Sequence, residues 1–90
     1  KVERVATVGA SDGIIFDPKG NLYLSSLEHD AVRRLTPAGR LETVVKDPRI
    51  AWPDTFTVSA DGWLYVTSAQ IHRMPTPPEP YRLFRIRLPR

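Results

Sequence analysis

The sequence predicts an all-β protein in which one structural unit occurs twice. Residues 11–26 read SDGIIFDPKGNLYLSS, and residues 53–68 read PDTFTVSADGWLYVTS. At an offset of 42 residues, Asp12 aligns with Asp54 and Gly20 aligns with Gly62. Each copy has a short apolar strand, a glycine turn and a second strand that ends in Ser or Thr. The nine prolines among the 90 residues add turns and leave little room for helices.

The length of the repeat indicates the architecture. A period near 40 residues with strand–turn–strand content is typical of a β-propeller blade, whereas helical repeats of that length would show apolar periodicity over a dozen positions. In the first copy we expect three inner strands within residues 12–36, at 13–17, 21–26 and Ala31–Thr36. An outer strand over 40–46 follows the turn TPAG.

The second copy predicts three further inner strands within residues 54–88. Two of them, 55–59 and 63–68, align with the first copy, and LFRI at 83–86 matches VRRL at 32–35 with an offset of 51. The nine extra residues lie before this third strand and include MPTPPEPY at 74–81. Proline cannot donate a ladder hydrogen bond, so we expect 74–81 to form an ordered loop on one rim.

The first residues, KVERVATV at 1–8, resemble the outer strand 40–46, because Val2-Glu3 aligns with Leu41-Glu42. Residues 1–90 therefore predict two four-stranded propeller blades, divided one strand out of phase. Two blades cannot close a ring, and they leave open strand edges. We expect the remaining blades to come from the same parent chain or from a homotrimer of two-blade units.

Charge and composition narrow the classes of partner. The net charge is +3, but Arg85 and Arg87 alternate with Phe84 and Ile86, which is the pattern of a strand with one solvated face. The aromatic residues are not interleaved with arginines as a nucleic-acid platform requires, so no nucleic-acid partner is predicted. No apolar run reaches the roughly twenty residues of a membrane span, so no membrane partner is predicted. The absence of cysteine excludes disulfides and cysteine metal sites.

A family resemblance is carried by three segments: SDGIIFDPKGNLYLSSLEHDAVRRL, IAWPDTFTVSADGWLYVTSAQIHRM and YRLFRIRL. Together they resemble, along all 90 residues, the C-terminal third of bacterial members of the Yellow and major royal jelly protein family. That resemblance implies a six-bladed propeller. Insect members bind small amines and pigment precursors or are nutritive secreted proteins, so it also implies a small-molecule ligand and favours a secreted or periplasmic location. No signal peptide is visible and the chain starts at Lys1 rather than Met, so we expect any leader or upstream domain to have been removed or never supplied.

A looser similarity connects the chain to the gluconolactonase and senescence-marker-protein superfamily. There the Asp-Gly opening of an inner strand supplies a carboxylate to a divalent metal, which places a metal ligand at Asp12 of the Ser11-Asp12-Gly13 motif. Asp54 is a second candidate, although Thr55 replaces the glycine of that pattern. The superfamily's glutamate and asparagine ligands lie in other blades. Calcium is the expected cation, since it prefers several carboxylate oxygens.

The position of the two aspartates in the repeat has its own implication. Innermost strands of a propeller line the central channel, so residues just before them face its mouth, and Asp12 and Asp54 would share a ligand site there. The alternative is that each aspartate caps a turn by accepting backbone N–H groups.

Two histidines are further candidates for the site. His29, in Glu28-His29-Asp30, is a candidate ligand-binding residue and general acid or base, with a solvated polar turn as the alternative. His72, at the start of the insertion, is a candidate ligand-binding residue.

The serines lack the G-x-S-x-G context of a nucleophile, so no serine nucleophile is predicted.

Three hypotheses about function follow. The first is the small-molecule-binding portion of a Yellow/royal-jelly-like six-bladed propeller. The second is a metal-dependent lactonase, in which a cation held partly by Asp12 polarises the ring carbonyl or activates water. The third is a self-assembling structural unit without a ligand, in which replacing Asp12 or Asp54 by alanine would change stability alone.

Overall fold

The computed structural model describes residues 1–69 and 82–89, and over these residues the protein is all-β, which confirms the predicted class. Two antiparallel sheets are formed, and neighbouring strands in each sheet are consecutive in the chain. The first sheet contains β1 (Ile14–Phe16), β2 (Leu22–Ser26), β3 (Ala31–Leu35) and β4 (Leu41–Lys46). The second contains β5 (Pro53–Val58), β6 (Trp63–Ser68) and β7 (Arg82–Arg87). A single turn of 3₁₀ helix, Leu27–His29, connects β2 to β3.

The two copies of the repeat fold into matching hairpins. In the turn between β1 and β2, the N–H of Gly20 donates to the carbonyl of Asp17 at 3.1 Å, and Gly62 donates to Ser59 at 3.1 Å in the turn between β5 and β6. Gly20 and Gly62 have φ values of +85° and +88°, a region in which a side chain is strained. The turns that the glycines predict are therefore formed in both copies.

A single apolar core connects the sheets. Its buried members come from both sheets and from the segment between them: Tyr23, Val32, Ile50, Phe56, Leu64 and Val66. Because this core contains side chains from β2, β3, β5 and β6, neither sheet buries its apolar face independently of the other. Burial of this kind contributes about 25 cal/mol for each Å² of apolar surface removed from water.

The segment between the sheets is fixed by a turn after β4. The Asp47 carboxylate accepts hydrogen bonds from the backbone N–H and the side chain of Arg49, and the side-chain bond is the main reason that the pKa of Asp47 falls to about 2. Ile50 donates its N–H to the Asp47 carbonyl at 2.9 Å and places its side chain in the core. The backbone N–H of Trp52 then contacts the Asp30 carboxylate at 3.4 Å. These bonds position the start of the second sheet against the first.

A buried tyrosine extends the polar network of the first hairpin. Tyr23 is fully buried, and its hydroxyl donates to Oδ2 of Asp17 at 3.0 Å. Burial raises the pKa of the Tyr23 hydroxyl. Burial would also raise the pKa of Asp17, but hydrogen bonds from Asn21, from Tyr23 and from the backbone of Lys19 outweigh it and hold that pKa below its ordinary value.

The first eight residues differ from their prediction. The predicted outer strand 1–8 is not formed, and Lys1–Thr7 are exposed. A strand requires the backbone groups of a neighbour, and none of the strands in 1–69 and 82–89 pairs with this segment. The second sheet consequently has three strands rather than the four of the predicted blade. The predicted loop 74–81 lies outside the described residues.

The hydrogen bond between Tyr23 and Asp17 predicts a difference between two matched variants. Tyr23→Phe removes a buried donor to a carboxylate, so we expect the free energy of unfolding to fall by about 1–2 kcal/mol. Tyr65 takes the same place in the second copy and makes no hydroxyl hydrogen bond within residues 1–69 and 82–89. Tyr65→Phe should therefore change stability by less than about 0.5 kcal/mol. Urea unfolding at pH 7 measures both, and equal losses would contradict the role of the Asp17 bond.

Candidate aspartate-pair site

Asp12 and Asp54 lie where the two sheets meet. Asp12 precedes β1 and is exposed, whereas Asp54 is the second residue of β5 and is half-buried. Strands β1 and β5 are edge strands of their sheets and contact each other directly. The structure thus brings together the two aspartates that the repeat singles out. We call them the aspartate pair.

Gly13 makes this approach possible. A Cβ added at Gly13 would lie 1.8 Å from the backbone carbonyl oxygen of Asp54, and real Cβ atoms do not come that close to another atom. Only glycine therefore fits at the start of β1 without moving the backbone of β5. The glycine of the Ser-Asp-Gly motif serves to join the sheets, which sequence reasoning alone did not identify.

Hydroxyl groups hold the backbone on which both aspartates sit. Oγ of Ser25, at the end of β2, accepts hydrogen bonds from the backbone N–H groups of Asp12 at 2.8 Å and Gly13 at 3.1 Å. In the second copy, Oγ1 of Thr67 accepts the N–H of Thr55 at 3.1 Å. The Ser or Thr that ends each second strand therefore caps the start of the first strand. Its recurrence in both copies was the available sequence signal.

This arrangement leaves the carboxylates themselves available. Over residues 1–69 and 82–89, neither Asp12 nor Asp54 accepts a backbone N–H through its carboxylate, because serine and threonine hydroxyls occupy that role. The turn-capping alternative is therefore not the arrangement observed there. Among the described residues, the interaction of Asp54 that remains is the one with the Asp12 side chain.

The electrostatics of the pair are unfavourable without a ligand. Burial raises the pKa of Asp54 above its ordinary value, and a hydrogen bond with Asp12 and the negative charge of Asp12 raise it further. The ion pairs formed within residues 1–69 and 82–89 involve neither aspartate. Within the described part of the chain, two carboxyls are thus held in contact with no basic side chain to compensate them.

His29 lies in a different place from the aspartate pair. It is exposed on the 3₁₀ turn, and its Nδ1 is 3.0 Å from Oγ of the buried Ser26. The cavity beside it, of about 280 Å³, is lined by His29, Glu28, Arg33 and residues 7–10, among others, and contains neither aspartate in its wall. The structure therefore does not combine His29 with the pair in one cavity. His72 lies outside the described residues.

Trp63, the first residue of β6, has its ring in contact with two arginine side chains. It is half-buried, with the guanidinium of Arg85 4.1 Å and that of Arg87 4.7 Å from its ring centroid. Arginines at this distance are attracted to the ring face. Trp63 is therefore engaged by the protein itself and does not offer a free stacking surface.

A groove of about 270 Å³ is lined by the β1–β2 turn, the β5–β6 turn and the end of β7. Its two carboxylates already accept hydrogen bonds: Asp17 accepts from Asn21 and Tyr23, and Asp61 accepts from Ser59. Arg87 donates to the Asp61 carbonyl at 2.8 Å. The two carboxylates of this groove therefore already accept hydrogen bonds from the protein, unlike the carboxyls of the aspartate pair, whose described contact is with each other.

The pair alone is an incomplete metal site. Within residues 1–69 and 82–89, no group of three or more His, Cys, Asp or Glu side chains is placed to hold a metal ion. Calcium takes six to eight oxygen ligands, so two aspartates would supply a minority of them.

Among the described residues no helix is long and apolar enough to span a bilayer.

Comparison with known proteins adds no relative: no protein-family model matches the chain, and neither does any curated protein.

The contact at Gly13 predicts a large cost for a small substitution. Gly13→Ala places a methyl group against the Asp54 carbonyl, and because backbone must move, we expect a loss of about 1–3 kcal/mol in unfolding free energy. Gly9→Ala meets open space but has a φ of +80°, so it should cost only the strain of a left-handed residue, about 1 kcal/mol. Urea unfolding compares the two, and a Gly13→Ala protein as stable as wild type would refute the contact.

The raised pKa of Asp54 predicts a pH-dependent gain in stability. The folded pKa exceeds the ordinary value of 3.8, so the contribution of Asp54 to stability is fully present below that value and is lost as the pH rises through the folded pKa. Asp54→Asn removes the unfavourable charge and should raise the urea midpoint at pH 7 with little effect near pH 3.

A second aspartate serves as the control of opposite sign. The pKa of Asp61 is lowered, chiefly by the hydrogen bond from Ser59, so its contribution is present at neutral pH and lost as the pH falls through the folded pKa. Asp61→Asn should therefore lower the midpoint at pH 7. If the midpoint of Asp54→Asn at pH 7 falls as that of Asp61→Asn does, the inferred repulsion between Asp12 and Asp54 is contradicted.

Proposed function

We propose that the chain forms two blades of a six-bladed β-propeller and binds a small, positively charged ligand at the mouth of the central channel. The observation that carries the proposal is the aspartate pair, two carboxyls that neighbouring sheets hold together and that form no ion pair within residues 1–69 and 82–89. The ligand would compensate these charges. The proposal makes the chain the small-molecule-binding portion of a Yellow/royal-jelly-like propeller.

The blade assignment is supported by the arrangement of the strands. Each sheet is an antiparallel meander, and β1 and β5 are the first strands of their sheets and lie beside each other. In a propeller the first strands of successive blades line the central channel. The same hydrogen bonds recur in both sheets, such as Gly13 to Ser25 and Thr55 to Thr67.

The chemistry of the pair selects a cationic group. Two carboxylates offer several acceptor lone pairs at one place, which suits a protonated amine with three donors or a divalent cation with a preference for oxygen. Oxygen ligands that the chain does not supply would come from water, from neighbouring blades or from the small molecule. A calcium ion and a primary amine thus share the same recognition chemistry.

Binding is favoured over hydrolysis by the position of His29. A metal-dependent lactonase would use the same aspartates for its metal and would profit from a general base within hydrogen-bond reach. The cavity that His29 lines does not include the aspartates. Calcium-dependent opening of a lactone, lost in Asp12→Ala, would establish the lactonase instead.

Calorimetric titration tests the binding proposal. We expect the chain at pH 7 to bind calcium chloride, tyramine or both, and Asp12→Asn and Asp54→Asn each to weaken binding by at least about tenfold, because each removes half of the attracting charge. Asp61→Asn is the matched control, since it removes one exposed carboxylate elsewhere and should leave binding unchanged.

The two ligands separate the sources of positive charge. Binding of calcium alone indicates a metal site, binding of tyramine alone indicates an amine site, and competition between them indicates one shared site. Absence of saturable binding of both, or binding that neither variant weakens, would refute the proposal.

A further inference from the structure

Among the described residues, the second sheet lacks the fourth strand that the first sheet has, and β7 is its open edge. One row of cross-strand partners in the first sheet consists of Ile15, Tyr23, Arg34 and Glu42. The corresponding row in the second sheet consists of Thr57, Tyr65 and Arg85. Over residues 1–69 and 82–89, no strand pairs with the far side of β7, so this row stops at its third position.

The completed row shows what the fourth position contributes. Nε and Nη2 of Arg34 donate to one carboxylate oxygen of Glu42, at 3.1 and 2.8 Å. The two side chains are only 17% and 31% exposed. Arg85 takes the place of Arg34 in the second sheet, but within the described residues it makes no ion pair and lies over Trp63 instead.

The segment that matches β4 is residues 1–8. Aligning Val2-Glu3 with Leu41-Glu42 makes Glu3 the counterpart of Glu42, and the neighbouring cation recurs as well. Lys1 is 3.2 Å from Glu3, as Arg40 is 3.9 Å from Glu42. The segment leaves Val2 100% exposed and Val5 84% exposed. Residues 1–8 therefore resemble an outer strand in sequence but pair with no strand of the described residues.

We propose that residues 1–8 of a second copy of this chain add to β7 as its fourth strand. The register of β3 and β4 carries over to this junction: antiparallel, with Val2 opposite Ile86, Glu3 opposite Arg85 and Arg4 opposite Phe84. Glu3 of one copy then forms with Arg85 of the other the ion pair that Glu42 forms with Arg34. The added strand satisfies the open backbone groups of β7.

The occupant is a second copy because the segment of the same copy runs elsewhere. The Ala10 carbonyl accepts the N–H of Leu27 at 3.3 Å, which holds the segment at the end of β2. Thr7 and Val8 line a cavity together with Arg33 and Leu41, on the side of the first sheet. The segment thus leaves from the first sheet, whereas the open edge belongs to the second.

Each copy consequently has one segment to donate and one edge to accept. Such head-to-tail contacts form a closed ring when the rotation between copies closes. Three copies supply six sheets, and the ring would have a mass of about 31 kDa, three times the 10.2 kDa of the chain. Assembly by this route is independent of any ligand at the aspartate pair.

Charge reversal tests the junction. In sedimentation velocity across a wide range of concentrations, the wild-type chain should assemble, and Glu3→Arg or Arg85→Glu alone should weaken assembly at least about tenfold by placing like charges opposite each other. The double variant restores the pair with reversed polarity and should recover most of the affinity. Lys19→Glu, in the exposed turn before β2, makes the same change in net charge as Arg85→Glu and should have no effect.

A wild-type chain that stays monomeric at every concentration would overturn the proposal, as would single variants that assemble like wild type. A double variant no better than the singles would also overturn it. Circular dichroism of each variant identifies any that does not fold, and a cross-linking experiment that leaves Glu3 and Arg85 in place avoids that difficulty.

The chain has no cysteine, so introduced thiols report on the register directly. The register places Ala6 opposite Leu83, both exposed, and Ala6→Cys with Leu83→Cys should give disulfide-linked multimers on mild oxidation. Val2→Cys with Leu83→Cys is the control, because these positions are about 10 Å apart in that register, beyond disulfide reach. A disulfide within one copy, or equal cross-linking of both pairs, would overturn the second-copy junction.

Discussion

The close approach of two backbones at Gly13 is the constraint on which the relation between the sheets depends. A Cβ there would overlap the carbonyl oxygen of Asp54, so the contact exists only because this residue has no side chain. The shared core and the turn around Asp47 support the same relation from the interior. The site is therefore a product of packing: the carboxyls meet because the strands that carry them meet.

The aspartate pair shows how a repeat can create a charge conflict. One aspartate at the start of a hairpin is harmless in water, but two hairpins packed side by side place the second carboxyl against the first. Burial and the charge of Asp12 then raise the pKa of Asp54. Two other carboxylates have an arginine partner close by, as Asp47 has Arg49 and Glu42 has Arg34. The absence of such a partner among the described residues is what favours a ligand at the pair.

Much of the fold could be predicted from the sequence because its determinants are local. The turns at Gly20 and Gly62 require only a backbone preference, and strands β2 and β6 align in sequence because they are copies. The nearness of Asp12 and Asp54 followed from placing two copies side by side. Residues 1–8 were different, because a strand exists only with a neighbour, and the chain's own sheets do not supply one over the described residues.

The parts of the site that sequence reasoning missed depend on distant contacts. The role of Ser25 requires knowing that β2 returns to the start of β1, and the role of Gly13 requires knowing that β5 arrives beside it. The covering of Trp63 depends on Arg85 and Arg87, which are more than twenty positions away in the chain. No periodicity or motif encodes such relations.

Gly13 also distinguishes two copies that otherwise look interchangeable. The equivalent position in the second copy is Thr55, a β-branched residue, which could not accept a neighbouring backbone at the distance that Gly13 allows. In the proposed ring, the junction on the far side of the second sheet would therefore be wider than the one between the two sheets. A ring made from this chain would alternate narrow and wide junctions, and its symmetry would be threefold rather than sixfold.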